Sequence, residues 1–430
     1  MEPKGSLHWN PDQKRILVVG CGFMGQGIAN SLLVYGHEVH LFDARGLEFL
    51  DHMVNTNMRE TVEDFVSKTN MNHLEEDLAS LFNSPTKDPS RGAHPAVDML
   101  MEGVHCLPGD YLQAKTLTTA QQQTGTSSKQ KPKKSSRGAG NNYNSATTES
   151  FDVIFEAVFE DIEVKCHVYR QLADALPAVK EGKVPVCSNT SSLLLKDLRA
   201  KLGKAYEKLD LTIAHFVGPA LYMPVVELYS DRLLGGTTTA ATTRIHVVKK
   251  LLERCGKKPI LMKKEVAGFV HARLQACLLR ECIALVHDGV CSAGDVDDTV
   301  TYGFGRRYNQ VGPFAQADLV GLELISKTHA QIFPSLCNDT TDKYTKALAD
   351  TRHRGAADRQ GYRAWANEAA VQIAKESRDE EIQRRLICDL PGVGSEATGE
   401  IPNSANAPGA SFTRAAARSS SVPNKRSRVG

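Results

Sequence analysis

Residues 16–27 read ILVVGCGFMGQG, and this stretch decides the fold. A short apolar strand runs directly into Gly20, Gly22 and Gly25, which have the G-x-G-x-x-G spacing of a dinucleotide-binding turn. The first glycine permits a tight turn, the second lets the backbone approach a pyrophosphate, and the third lets the next helix pack on the strand. That helix offers free N–H groups and its positive dipole end to phosphates. The predicted cofactor contacts of this turn are Gly20, Gly22, Phe23, Met24 and Gly25.

The second predicted strand, residues 38–42, ends at an acidic residue, Asp43. This carboxylate follows the glycines by about 20 residues, where it can accept hydrogen bonds from the adenosine ribose. A glycine-rich turn in another kind of α/β protein is the alternative, and Asp43 argues against it. Because a carboxylate repels a 2′-phosphate, Asp43 favours NAD over NADP. The nearby Arg45 keeps NADP open as the second choice.

The composition is that of an ordinary globular protein. The chain has 430 residues, enough for two or three domains, and a formal net charge of only +2, which demands neither a nucleic-acid nor a membrane partner. No apolar run is as long as a membrane span, and the N-terminus resembles neither a secretory signal nor a transit peptide. The ten cysteines form no C-x-x-C pair and no zinc spacing. We therefore expect a reduced, cytoplasmic protein without a metal site.

Strands alternate with helices in the first half of the chain. Apolar strands are predicted at 151–158, 184–188 and 211–216, with a helix at 161–177 between the first two. After residue 263 the pattern is helical: a long helix over 266–287, another after the capping residues that begin at Ser292, and a third opened by Gly312-Pro313. The predicted fold class is α/β, an N-terminal Rossmann doubly wound parallel sheet followed by a smaller all-α domain.

Two segments are too polar to bury a core. Residues 113–149 are rich in Gln, Lys, Ser, Gly and Asn, and we interpret them as a disordered surface insertion whose lysines are solvated; binding of an acidic partner is the alternative. The last forty residues resemble a disordered tail, whose basic end is alternatively a nuclear localisation signal. The predicted boundaries are 12–262 for the NAD-binding domain, 263–390 for the helical domain and 391–430 for the tail.

A histidine and a glutamate stand in strands that are otherwise apolar. Oxidation of a secondary alcohol needs a base for the hydroxyl proton, and histidine suits this role because its ordinary pKa lies near neutral pH. His215 ends a strand, where it would face the cleft at the carboxyl ends of the sheet. Glu227 lies twelve residues on, and a carboxylate there is costly unless paired. We predict that Glu227 orients His215; a purely structural pair is the alternative.

Four motifs follow the glycine turn in a fixed order. The motifs are FEAVFEDIEVK at 155–165, SNTSSL at 188–193, HFVGP at 215–219 with MPVVE at 223–227, and AGFVHARL at 267–274. This order resembles the L-3-hydroxyacyl-CoA dehydrogenase family over about residues 14–112 and 150–330. Met223–Leu228 and residues 312–322 look closest to its 3-hydroxybutyryl-CoA, carnitine and L-gulonate (lambda-crystallin-like) branch.

The resemblance implies an activity and roles for individual residues. His215 and Glu227 would be the catalytic pair, and Ser191 would contact substrate and NAD, with Ser188 as a second substrate contact. The serines follow a strand end, and capping of the next helix is their alternative role. The implied substrate is a 3-hydroxyacyl-CoA of fatty acid metabolism, with carnitine and gulonate as alternatives. A homodimer through the helical domain is also implied. Glu160 and Lys165 would lie near the nicotinamide half of NAD.

Two positions depart from the family pattern. Gly218 stands where the family usually has an asparagine near the nicotinamide, and Ala272 stands where it usually has an asparagine near the substrate oxygen or the base. His271 is adjacent, but neighbours on a helix face about 100° apart, so it is no automatic replacement. The second hypothesis is therefore an NAD-binding protein with weak or no catalysis, such as a sensor or a crystallin-like protein.

Overall fold

The computed structural model describes residues 13–69, 95–113, 150–232 and 240–389. Almost all of the predicted insertion 113–149, the predicted tail 391–430 and the basic segments within them lie outside these ranges.

An eight-stranded sheet organises the described part of the first domain. The strand order is β3-β2-β1-β4-β5-β6-β7-β8, so the order reverses between β1 and β4, as in doubly wound folds. All neighbours are parallel except β6 and β7. The strands are β1 Arg15–Val19, β2 Glu38–Phe42, β3 Val104–Cys106, β4 Val153–Glu156, β5 Val186–Ser188, β6 Leu211–Phe216, β7 Val225–Tyr229 and β8 Lys258–Leu261.

Helices cover both faces of this sheet because the strand residues are apolar on both sides. Ile16 and Val18 face one core cluster together with Leu32 of the first helix, whereas Leu17 faces a second cluster that includes Tyr169. The helices of this domain are α1 Phe23–Leu33, α2 Leu47–Met53, α3 Arg59–Thr69, α4 Pro95–Glu102, α5 Ile162–Ala175, α6 Pro177–Lys180, α7 Leu195–Leu202 and α8 Ala240–Arg254.

The chain after β8 is helical, as predicted. The capping box at Ser292 and Asp295 is present, and Pro313 occupies the first turn of its helix. The last helix returns to the first domain, because Leu386 joins its core and Gln383 accepts a hydrogen bond from Lys68. The helices are α9 His271–His287, α10 Ala293–Asp298, α11 Pro313–Val320, α12 Leu322–Ile332, α13 Lys343–Asp350 and α14 Glu368–Asp389.

The predicted fold class is confirmed, with two corrections of detail. The connection from β6 to β7 is residues 217–224. A parallel crossover needs about a dozen residues or more, so this short connection makes the pair antiparallel. The long helix begins at His271 rather than at 266, because Gly268 and Phe269 have positive φ angles. Within the described residues, no helix is long and apolar enough to cross a membrane.

Candidate active site

The glycine turn leaves room for a pyrophosphate where the sequence predicts it. Gly20 has φ +87°, and a Cβ there would lie 2.8 Å from the backbone of Ala157. A Cβ on Gly25 would overlap the carbonyl group of Gly20, so α1 packs against the turn only with glycine. A Cβ on Gly22 would have no protein atom within 4 Å. With no side chain capping α1, the turn fits the phosphates of a dinucleotide.

Asp43 lies beside this turn and is held there by hydrogen bonds. Its Oδ2 accepts from the backbone N–H of Cys21 at 2.8 Å and from Arg45 Nη2 at 2.7 Å, and its Oδ1 accepts from Arg45 Nε at 2.8 Å. Burial opposes the charge of this carboxyl, but the hydrogen bonds from Arg45 and Cys21 outweigh it and lower the pKa of Asp43. The carboxylate is therefore charged and reaches the turn, as a ribose-binding residue must. Ribose hydroxyls would have to displace part of the Arg45 contact.

His215 and Glu227 are direct cross-strand partners. They face each other in the antiparallel register of β6 and β7, and His215 Nδ1 lies 2.8 Å from Glu227 Oε2. Glu227 is fully buried and His215 is only 6% exposed. Because a carboxylate only accepts, Nδ1 is the donor in this contact, and in the neutral imidazole Nε2 then has the lone pair. The pair thus has the arrangement of a base and its orienting group.

The start of α9 completes the surroundings of Glu227. Its Oε1 accepts hydrogen bonds from the backbone N–H groups of Val270 at 2.7 Å and His271 at 2.9 Å. Phe269 is fully buried, and its ring centroid lies 5.5 Å from that of His215. Both oxygens of the buried carboxylate are therefore satisfied, one of them by the second domain.

A buried network lies beneath the ends of β4 and β5. Glu156 is fully buried; its Oε1 accepts from Lys165 Nζ at 2.8 Å, and its Oε2 accepts from Ser188 Oγ at 2.9 Å and from Tyr169. Lys165 is fully buried too and lies 3.5 Å from Glu160 Oε2. Burial raises the pKa of the Tyr169 hydroxyl, and the charge of Glu156 adds to this effect. The ammonium of Lys165 and the hydroxyl of Ser188 thus serve this network, and their direct contact with cofactor or substrate stays a prediction.

The loop after β5 is fixed by Glu160. Its Oε1 accepts from Thr190 Oγ1 at 2.7 Å and from the N–H groups of Ser191 and Ser192 at 2.9 Å each. Burial raises the pKa of Glu160, but these hydrogen bonds and the charge of Lys165 lower it overall. Ser191 is exposed, and its hydroxyl has no hydrogen-bond partner among the described residues. Of the predicted serines, Ser191 is therefore the one available to a ligand.

Capping does not explain these serines. The helix α7 has Leu194 as its N-cap, without a side-chain cap, and its first N–H donates to Glu265 Oε2 at 2.8 Å.

The two departures from the family pattern both lie at the site. A Cβ on Gly218 would lie 3.3 Å from Met24 Sδ and 3.4 Å from the ring of Phe23, so this position borders the glycine turn. Ala272 follows directly after the two N–H donors to Glu227. The site thus lacks amide side chains at both positions, while the pair of His215 and Glu227 is present.

Sequence reasoning missed the roles of Glu156 and Phe269. Glu156 stands in the apolar strand Val153–Glu156, which is the same signal that identified Glu227, so it could have been found. The left-handed backbone of Phe269 has no sequence signature, because glycine is the residue expected at such a φ.

A second cluster of ligand-type side chains lies at the other end of β2. Glu38, His40 and His105 bring one carboxylate and two imidazoles within 4.8 Å of one another. Arg15 already donates to Glu38, and the two rings stack with centroids 4.7 Å apart. Metal-bound imidazoles normally donate their second N–H, whereas Nδ1 of His40 has no partner in the described part of the chain. We interpret the cluster as an ion-pair network, and the absence of a metal site stays a prediction.

Comparison with known proteins identifies the same two parts. A family model described as "3-hydroxyacyl-CoA dehydrogenase, NAD binding domain" matches residues 15–105 and 110–266. A second, described as "3-hydroxyacyl-CoA dehydrogenase, C-terminal domain", matches residues 268–365. The nucleotide-binding part is therefore an NAD-binding domain.

Curated relatives match the chain over about half its length, and a solved structure shares its fold. L-carnitine dehydrogenase of Pseudomonas aeruginosa is 30% identical over 220 residues, which are 50% of this chain and 64% of that protein. The lambda-crystallin homolog of Homo sapiens is 31% identical over 242 residues, or 52% of this chain and 69% of that protein. The matched part of the chain thus spans less than two thirds of the carnitine dehydrogenase. A crystal structure of 5-formyl-3-hydroxy-2-methylpyridine 4-carboxylic acid 5-dehydrogenase has the same fold, with a TM-score of 0.58, 21% identity, and coverage of 87% of this chain and 98% of that one.

Proposed function

Because this chain belongs to the 3-hydroxyacyl-CoA dehydrogenase family, we propose that it interconverts a 3-hydroxyacyl substrate and its 3-keto product with NAD. The observation that carries the proposal is the 2.8 Å contact between His215 Nδ1 and Glu227 Oε2. Nε2 of His215 has no hydrogen-bond partner among the described residues, and His215 lies at the edge of the sheet where β1 ends in the glycine turn.

His215 acts as the general base in the oxidation direction. Its Nε2 takes the proton of the substrate hydroxyl, and the charge that develops on the imidazolium is stabilised by the carboxylate of Glu227. The side chain of Glu227 is held in place because its Oε1 accepts hydrogen bonds from the backbone N–H groups of Val270 and His271. Bound NAD supplies the hydride acceptor. In the reverse direction the imidazolium returns its proton to the carbonyl oxygen.

Ser191 orients the substrate. Its hydroxyl is exposed, while its backbone N–H is bonded to Glu160, so the residue is anchored and its hydroxyl stays available to a ligand. A hydroxyl on an anchored backbone can meet the substrate oxygen from which His215 removes the proton.

The substrate we propose is a 3-hydroxyacyl-CoA, with carnitine and L-gulonate as the alternatives suggested by the family branch. The test is an absorbance assay of NADH formation with 3-hydroxybutyryl-CoA, a longer 3-hydroxyacyl-CoA, L-carnitine and L-gulonate. We expect the acyl-CoA substrates to react and His215→Ala to abolish the reaction. Full alcohol oxidation by His215→Ala would contradict the mechanism.

The second candidate function is NAD binding with little catalysis, and the observation that favours it is the pair Gly218 and Ala272. Loss of one preorganised donor costs about 2.7–4 kcal/mol in a transition state. The test is Gly218→Asn combined with Ala272→Asn; activity on acetoacetyl-CoA that appears only in this variant supports the second candidate. Oxidation of NADH by the native protein with acetoacetyl-CoA supports the first.

We also propose a cytoplasmic homodimer that associates through the helical domain. Large apolar side chains are exposed there, among them Phe314 at 88% and Leu319 at 74%. The cysteines that the structure describes are free thiols, in keeping with a reducing compartment. Light scattering after size exclusion tests the dimer, and Phe314→Glu with Leu319→Glu should yield monomers.

A further inference from the structure

The chain enters α9 through two successive residues with left-handed backbone. Gly268 has φ +74° and Phe269 has φ +47°. Glycine adopts such angles freely, whereas a residue with a Cβ rarely does. This turn ends the preceding segment, and α9 begins at His271 immediately after it.

The two donors that hold Glu227 follow directly after this turn. Glu227 Oε1 accepts from Val270 N at 2.7 Å and from His271 N at 2.9 Å, while Oε2 faces His215 Nδ1 at 2.8 Å. Val270 is bonded directly to Phe269 and His271 is the next residue, so a displacement of Phe269 displaces both N–H groups. The orientation of the carboxylate therefore depends on where Phe269 lies.

Phe269 also contacts the imidazole itself. Its ring is fully buried in the core cluster beneath β6 and β7, with its centroid 5.5 Å from that of His215. A glycine would adopt the same turn without strain, so the turn alone does not account for a phenylalanine at this place. Burial of the ring in this apolar cluster accounts for a large apolar side chain, and the ring is placed there beside the imidazole.

We propose that Phe269 is a positioning residue for the His215–Glu227 pair, an inference that rests on the proposed function. Its ring limits the movement of the imidazole, and its backbone aims the first N–H groups of α9 at Glu227. Phe269 does not touch the reacting atoms. It acts by keeping the proton of His215 on Nδ1 and the lone pair of Nε2 directed at the substrate.

The test is Phe269→Gly, which keeps the turn accessible and removes the whole side chain from the core. We expect kcat to fall on the order of 10–100-fold, because a small misplacement of a catalytic group has that effect. The KM and the Kd for NADH should change little, since the ring lies below the base and not in the glycine turn. Phe269→Leu, which retains apolar volume, should give an intermediate kcat.

The second measurement reports the position of His215 without any turnover. In protein labelled with ¹⁵N-histidine, the Nδ1–H resonance of His215 is identified by its loss in His215→Gln. We expect a slowly exchanging resonance in the native protein and rapid exchange with water in Phe269→Gly. The matched control is Phe65→Ala, a buried core residue on α3, which should leave both kcat and the resonance unchanged.

The outcomes separate this inference from the proposed function. An unchanged resonance in Phe269→Gly overturns the positioning role, whether or not kcat falls. If Phe269→Gly does not fold, Phe269→Leu is measured instead, and exchange as slow as in the native protein overturns the role. If the native protein oxidises no hydroxyacyl substrate, the proposed function fails. The exchange rate of the His215 Nδ1–H resonance in Phe269→Gly still tests whether Phe269 positions His215.

Discussion

Replacing Glu227 with glutamine should leave the shape of the site intact and prevent His215 from acting as the base. The two oxygens of Glu227 have different partners: Oε1 accepts from Val270 N and His271 N, and Oε2 faces His215 Nδ1. A glutamine has one oxygen and one NH₂ group, so only one of these two sides can keep an acceptor.

The structure decides which way the amide turns. Placing the NH₂ against the two N–H groups would forfeit two hydrogen bonds, each worth about 0.5–1.5 kcal/mol to a neutral amide oxygen. Placing it against His215 only reverses the direction of one hydrogen bond, because the imidazole can change tautomer. The NH₂ therefore faces Nδ1, which must then accept, and the proton of the imidazole moves to Nε2. A histidine with Nε2 protonated cannot take the hydroxyl proton.

The expected loss in kcat is on the order of 10³–10⁴-fold, since the equivalent acid-to-amide change in a Ser-His-Asp triad costs about 10⁴-fold through the wrong tautomer. This corresponds to about 4–5.5 kcal/mol in the barrier. The assay is single-turnover NADH formation with the fastest substrate of the panel, with NADH affinity and thermal stability measured alongside.

The matched control is Glu38→Gln. Glu38 is likewise a carboxylate paired with a histidine on the sheet, 2.8 Å from His40 Nε2, but it lies at the opposite end of the strands. Its replacement should leave kcat unchanged. The reasoning is refuted if Glu227→Gln binds NADH normally and retains a kcat close to that of the native protein.

Three further predictions concern the first domain. Gly25→Ala should destabilise the fold by about 1–3 kcal/mol in urea unfolding because its Cβ overlaps the turn, whereas Gly22→Ala should fold normally yet lose NADH binding; equal stabilities would contradict this. Asp43→Ala should lower the affinity for NADH about 10–100-fold and raise the affinity for NADPH relative to NADH, since Arg45 is released from its ion pair; fluorescence titration with both cofactors measures the two affinities. Burial, then the charge of Lys14, lowers the pKa of His37 from its ordinary 6.5 to about 4. The neutral imidazole stabilises the fold above pH 6.5, and about 3 kcal/mol of the free energy of unfolding is lost as the pH falls towards 4. His37→Asn should flatten the pH dependence of the free energy of urea unfolding over this range.

The sequence was sufficient for features that depend on local chemistry. The glycine spacing, the acid at the end of β2 and the apolar strands predicted the nucleotide fold, because each reflects a backbone or burial requirement that one segment meets by itself. The cost of a carboxylate in an apolar strand predicted the partnership of Glu227 with His215, which the antiparallel register brings to 2.8 Å.

The features that were missed depend on contacts between distant segments. Glu156, Tyr169 and Ser188 meet only because α5 packs across β4 and β5, so no single motif reveals that Ser188 is buried. The N–H groups that anchor Glu227 belong to Val270 and His271, which follow it by 43 and 44 positions in the chain. Such contacts follow from the assembled fold; among the missed residues only Glu156 had a local signal, its place in an apolar strand.

The His215–Glu227 pair is held by parts of the fold that do not involve the side chains at positions 218 and 272. His215 and Glu227 are fixed by the register of β6 and β7 and by the N–H groups of α9, none of which involves a side chain at 218 or 272. Gly218 instead borders Met24 of the glycine turn. Substitution at these two positions therefore changes the contacts made to cofactor and substrate without disturbing the base. If Gly218→Asn and Ala272→Asn raise activity, they should do so while the Nδ1–H resonance of His215 stays as it is in the native protein.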